Sequence, residues 1–98
     1  MEKNVSAQFL GSIGGNIRRL RKLKKLSLEE LGLEIGLTRM QVHRIEKGYN
    51  ITAITLLKVS LALNVKPGRL LHFNYKFKKE DLEKLVENSK GNKRQGKK

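Results

Sequence analysis

The residues best suited to chemistry lie together in Thr38-Arg39-Met40-Gln41-Val42-His43-Arg44-Ile45-Glu46-Lys47. At helical spacing only Val42 and Ile45 are placed to turn inward, which leaves Arg39, Met40, His43, Arg44 and Lys47 facing out. Arginine carries a planar fork of donors that can grip O6 and N7 of guanine at once. An apolar side chain such as Met40 can meet a thymine methyl. Gln41 has two roles open to it: contact with adenine or a phosphate, or capping of its own helix three residues after Thr38.

Other chemistries lack their parts. The chain has no Cys, so it has neither a thiolate metal site nor a disulfide framework. His43 and His72 stand far apart in the sequence and suggest no metal site. No carboxylate is paired with a base, and no nucleophile with an activating neighbour. Gly14-Gly15 lacks the flanking strand that a nucleotide-binding loop needs. Neither an enzyme nor a bound metal or cofactor is expected.

Charge points to the class of partner. Lys and Arg number 22 against 9 Asp and Glu, a formal net charge of +13. Such a field calls for an anionic partner: nucleic acid first, with a membrane surface as the rival. The final stretch, Ser89 to Lys98, has no acidic and no apolar residue and reads as a disordered basic tail. The other basic cluster, Arg18, Arg19, Arg21, Lys22, Lys24 and Lys25, lies within an apolar period and therefore on a folded helix. No apolar run approaches the roughly 20 residues of a membrane span. Met1-Glu2-Lys3-Asn4 lacks the features of a secretory signal, so a cytoplasmic protein is expected.

Positioning these groups falls to five short helices within a single domain, which 98 residues fit. The first is expected over Ser12 to Lys25, with Ile13, Ile17, Leu20 and Leu23 or Lys24 as its stripe, and Gly14 and Gly15 weakening its first turn. The second runs from Leu28 to Ile35 after a Ser27/Glu30 capping box and stops at Gly36. The third opens after Thr38 and runs to about Lys47 before Gly48. The fourth spans Ala53 to Leu63 with Leu56, Val59, Ser60 and Leu63 inward, which leaves Leu57 and Leu61 on another face. The fifth is Pro67 to Leu71, with proline at the first helical position. Beyond it Phe73, Tyr75 and Phe77 alternate with polar residues, which reads as a short strand over 72–78, and a helical pattern returns over 80–88.

Helix two, the Gly36-Leu37 turn and helix three make a helix-turn-helix, whose second helix enters the major groove. Here the sequence resembles the phage-repressor and Cro-like helix-turn-helix domains, the XRE family. The resemblance covers about Gly15 to Leu71. It is carried by Ile17-Arg18-Arg19-Leu20-Arg21, Leu26-Ser27-Leu28-Glu29-Glu30-Leu31, Ile35-Gly36-Leu37-Thr38, Val42-His43-Arg44-Ile45-Glu46-Lys47-Gly48 and Leu56-Leu57-Lys58-Val59-Ser60-Leu61-Ala62-Leu63-Asn64-Val65.

The resemblance implies an all-α, five-helix DNA-binding domain that binds operators as a dimer. By position it implies base contacts from Arg39, Met40, His43 and Arg44, and phosphate contacts from the loop residues Lys47, Tyr49 and Asn50. Arg18, Thr38 and Gln41 join the expected phosphate set. It also implies an ion pair between Arg21 and Glu46, tying the first helix to the end of the third. Two positions depart from the family pattern. Leu28 stands where a glutamine usually braces a phosphate, and Gly32 where alanine is preferred.

The sequence therefore divides into an N-terminal extension over 1–11, the DNA-binding domain over 12–71, a C-terminal extension over 72–88 and the tail over 89–98. Leu57, Leu61, Phe73, Tyr75 and Phe77 exceed what so small a core can hold. Either the C-terminal segment folds back over Leu57 and Leu61, or these residues make a dimer. In the dimer the strand would pair with its twin and the helix bearing Leu82 and Leu85 would cross to the partner. The expected function is a sequence-specific transcriptional regulator, a dimeric repressor on double-stranded DNA. The alternatives are an antitoxin-type regulator that binds a partner protein through its C-terminal segment, and a charge-driven non-specific nucleic-acid binder.

Overall fold

The computed structural model describes residues 4–93, arranged as six helices. These are α1 (Val5–Leu23), α2 (Leu28–Ile35), α3 (Arg39–Glu46), α4 (Ala53–Ala62), α5 (Pro67–Leu70) and α6 (Asp81–Lys93). The all-α class and the five helices of the domain agree with the sequence reading.

Helix starts are written in the side chains. Ser27 Oγ accepts from the Glu30 N–H, and Glu30 Oε1 accepts from the Ser27 N–H. Thr38 and Gln41 repeat this box at the start of α3. Thr52 Oγ1 accepts from the Thr55 N–H and opens α4. Gly36 ends α2 at φ 76°, where glycine is free of the usual penalty, and the Leu37 N–H returns to the Gly32 carbonyl at 2.9 Å.

Four expectations are corrected. First, α1 begins at Val5 rather than Ser12, capped by Asn4, whose Oδ1 accepts from the Ala7 N–H. Low intrinsic propensity at Gly11, Gly14 and Gly15 is overridden by packing on both sides of them. Second, Leu23 is exposed rather than part of the inward stripe. Third, no strand forms over 72–78; among the described residues there is no strand at all. A lone strand has no partner for its ladder, and Phe73 and Phe77 turn onto Phe9 instead, with ring centroids 5.9 and 5.6 Å away. Fourth, the last helix continues past Asn88 to Lys93, so the backbone of 89–93 is helical rather than a disordered tail. The remainder of the expected tail, 94–98, lies outside the described residues.

The core joins Ile13, Ile17 and Leu20 of α1 to Leu31 and Ile35 of α2, Val42 and Ile45 of α3, and Val59, Leu63 and Leu70 from α4, its end and α5. Asn16 is buried among them. Its Nδ2 donates to the Leu70 carbonyl at 3.0 Å and the His72 carbonyl at 2.8 Å, which fixes where the C-terminal segment leaves the domain. The segment does fold back, but onto Phe9 of α1. Leu57 and Leu61 stay uncovered, at 41% and 68% exposure.

Candidate nucleic-acid interface

Helix α3 is held at both ends. Its start is closed by the Thr38/Gln41 box, so Gln41 Oε1 takes the capping role at 2.8 Å from the Thr38 nitrogen. Its end is held by Arg21. The Arg21 Nε donates to Glu46 Oε2 at 2.7 Å and Nη2 to Glu46 Oε1 at 3.1 Å, a bidentate pair. Both side chains are nearly buried, at 9% and 4% exposure. Arg21 Nη1 donates to the Leu26 carbonyl, which binds the α1–α2 turn into the same joint.

The close seat of α3 on α1 depends on one glycine. A β-carbon at Gly14 would lie 2.5 Å from the Ile45 oxygen and 2.6 Å from the Glu46 oxygen. No side chain fits there, so the end of α3 lies directly on the α1 backbone. Gly32 plays the same part between α2 and the turn: a β-carbon there would stand 2.5 Å from the Leu37 oxygen. The departure from alanine at that position therefore matches the geometry of this chain.

With α3 fixed, its outer face is defined. At about 100° per residue, Arg39, His43, Lys47, Met40 and Arg44 fall within an arc of about 140°. All five are exposed, and Val42 and Ile45 are buried on the opposite side. A surface hollow of about 310 Å³ on one flank is lined by Arg18, Arg21, Leu28, His43, Glu46 and Lys47. Glu46 neutralises Arg21, so Arg18 and Lys47 carry the unmatched positive charge. Leu28 adds no hydrogen-bonding side chain to this hollow. A second hollow of about 260 Å³ on the other flank brings Gln41, Arg44, Tyr49 and Asn50 together. The Tyr49 N–H donates to the Arg44 carbonyl at 3.0 Å and ties this loop to α3. Arg19, neighbour of Arg18, is engaged within the fold: its Nη1 donates to Asn16 Oδ1 at 2.8 Å.

The structure thus gathers Arg18, Thr38, Arg39, Met40, Gln41, His43, Arg44, Lys47, Tyr49 and Asn50 around one helix. It does not bring the C-terminal residues into one interface. Phe73 and Phe77 belong to the cluster on Phe9, with Tyr75 edge-on to Phe77 at 4.5 Å. Leu82 and Leu85 line a hollow against α1. Sequence reasoning missed Gly14, Asn16 and Phe9 as positioning residues. A signal for Asn16 was present, since it lies three residues after Ile13 and four before Leu20, on the apolar stripe.

A helix-turn-helix family model matches residues 17–70, more than half of the chain. The chain belongs to the XRE-type helix-turn-helix family. Members of this kind are DNA-binding regulators, and that is the class of this protein. Among solved structures it is similar to the restriction-modification controller protein C.AhdI from Aeromonas hydrophila. The two share 37% identity over 62% of this chain and 94% of that one, with a TM-score of 0.61. It is also similar to the hypothetical transcription factor NHTF from Neisseria. There the identity is 29% over 87% of this chain and 93% of the other, with a TM-score of 0.62. No curated protein matches the sequence. Among the described residues no helix is long and apolar enough to cross a membrane, and no cluster of potential metal ligands occurs.

Proposed function

We propose that this regulator is a sequence-specific, dimeric repressor that reads its operator with α3 in the major groove. The observation that carries the reading is the outer face of α3. Arg39, Met40, His43 and Arg44 are exposed together on a helix whose ends are fixed by a capping box and a buried ion pair. Rigid presentation keeps the ordering cost low when the side chains meet base edges. Lys47, Tyr49, Asn50 and Arg18, with the start of α3 at Thr38 and Gln41, supply the phosphate contacts that set register. Occupancy of the operator is the mechanism, and affinity falls with salt as counterions are released. The protein acts in the cytoplasm, without enzymatic activity or cofactor.

The dimer reading rests on α4. Ile54, Leu57 and Leu61 are exposed on one helical face, and a second copy across a two-fold axis would cover them. Two recognition helices then stand about 34 Å apart, one turn of DNA. Similarity to a restriction-modification controller favours a regulator of this kind over a charge-driven binder.

The test is selection of duplex DNA from a random pool at physiological salt, with the wild type and with Arg39→Ala/Arg44→Ala. A palindromic motif lost in the double variant supports the reading. Enrichment without any motif refutes it in favour of non-specific binding. A second polypeptide that co-purifies and docks on the C-terminal segment over 72–88 would instead support the antitoxin-type alternative.

A further inference from the structure

The C-terminal segment lies outside the residues that the family matches, yet the fold brings it to the DNA-facing loop. The link runs through α1. Gly48, at φ 101°, sits so close to α1 that a β-carbon there would lie 3.4 Å from the Gly11 Cα. Two residues before Gly11, Phe9 holds Phe73 and Phe77 edge-to-face. The loop after α3 and the segment after α5 therefore share one base, the N-terminal half of α1. As a result Asn50 and Lys78 line the same hollow, together with Phe77 and Asp81.

Lys78 is held in place there. Its backbone N–H donates to Asp81 Oδ2 at 2.9 Å, the bond that closes the start of α6. Its side chain is exposed, as are those of Lys76 and Lys79 on either side. Phe77 is anchored between them, so the chain displays Lys-Phe-Lys-Lys as a ledge with an aromatic root. Glu80 is the exposed acid beside this ledge, and Asp81 is half-buried with one oxygen engaged as the cap. Asn50 brings the ledge up against a loop that carries no acid from Lys47 to Thr52.

We propose that Lys78, flanked by Lys76 and Lys79, contacts a backbone phosphate next to the one reached by Asn50. The ledge extends the DNA footprint of this protein beyond the helix-turn-helix itself. This rests on the operator-binding reading above, and deepens it. A phosphate contact carries affinity without sequence information, so its signature is separable from that of α3.

The experiment measures affinity for the selected operator against salt for the wild type, Lys78→Gln and Lys66→Gln. Lys66 is exposed in the turn before α5, and its substitution removes the same charge from elsewhere. The slope of log K against log salt is expected to fall in magnitude by about 0.9 in Lys78→Gln, as for one phosphate lost. In Lys66→Gln it stays at the wild-type value. The selected motif is unchanged in both, and thermal melts confirm that both fold. Phosphate-ethylation interference should lose one position per half-site in Lys78→Gln only. Equal slopes and interference patterns in all three proteins overturn the ledge and leave operator binding standing. A wild type that selects no motif removes the operator reading, and the ledge with it.

Discussion

Removal of Glu46 tests how α3 is held. In Glu46→Ala two charge-assisted hydrogen bonds, at 2.7 and 3.1 Å, disappear from a site where Arg21 remains almost fully covered. Arg21 keeps its bond to the Leu26 carbonyl, so the charge is left buried with one partner of neutral type. Breaking a buried pair in this way costs about 3–5 kcal/mol. Small domains carry only about 5–15 kcal/mol of total stability, so the loss is a large share of it. Each kcal/mol moves the midpoint of a domain of this size by about 4–8 °C, which gives a fall of about 12–40 °C. Circular dichroism melts at neutral pH would measure it. The double variant Arg21→Met/Glu46→Leu should recover most of the loss, because apolar residues of similar volume often replace a buried pair without penalty. A Glu46→Ala midpoint within about 2 °C of the wild type, under 1 kcal/mol, would refute the reasoning.

Neighbouring glycines should respond with opposite signs. Gly15 has open space around it, so Gly15→Ala should raise stability by about 1 kcal/mol, whereas Gly14→Ala should lower it by about 1–3 kcal/mol through collision with the Ile45 and Glu46 carbonyls. Chemical denaturation of the two variants checks the contrast, and equal effects would show that α3 can shift freely. Leu57→Lys/Leu61→Lys should yield monomers in sedimentation equilibrium while keeping the helical melt, since both residues are exposed in the single chain. A wild type that sediments only as a monomer at high concentration would remove the dimer reading. Phe9→Ala deletes two edge-to-face pairs, each worth about 0.5–1.5 kcal/mol. Amide exchange should then quicken over 72–86 and remain slow in the core; a uniform change would show that the segment is not a separable layer.

Much of this protein is decided locally, and so was legible in the sequence. The boundaries of α2 and the start of α3 follow from Ser27/Glu30, Thr38/Gln41 and Gly36, whose side-chain and backbone chemistry acts within three or four residues. The inward stripes of α3 and α4 follow from spacing alone, and with them the exposed set Arg39, Met40, His43 and Arg44. The Arg21–Glu46 contact joins residues 25 apart, and it was reached through family resemblance rather than through any local rule.

Tertiary structure decided what depends on distant partners. Gly14 looks like a helix breaker until the end of α3 is set against it; packing then makes the missing side chain an advantage and lets α1 run on to Val5. Alternation at Phe73, Tyr75 and Phe77 carries a strand pattern, but a strand needs a neighbour to receive its hydrogen bonds, and Phe9 offers an aromatic seat in its place. The same seat brings Lys78 beside Asn50, two residues 28 positions apart that no local period connects. Sequence by itself determined which helices form and which face of α3 meets the solvent. Where the C-terminal segment lies was decided only by long-range packing on α1.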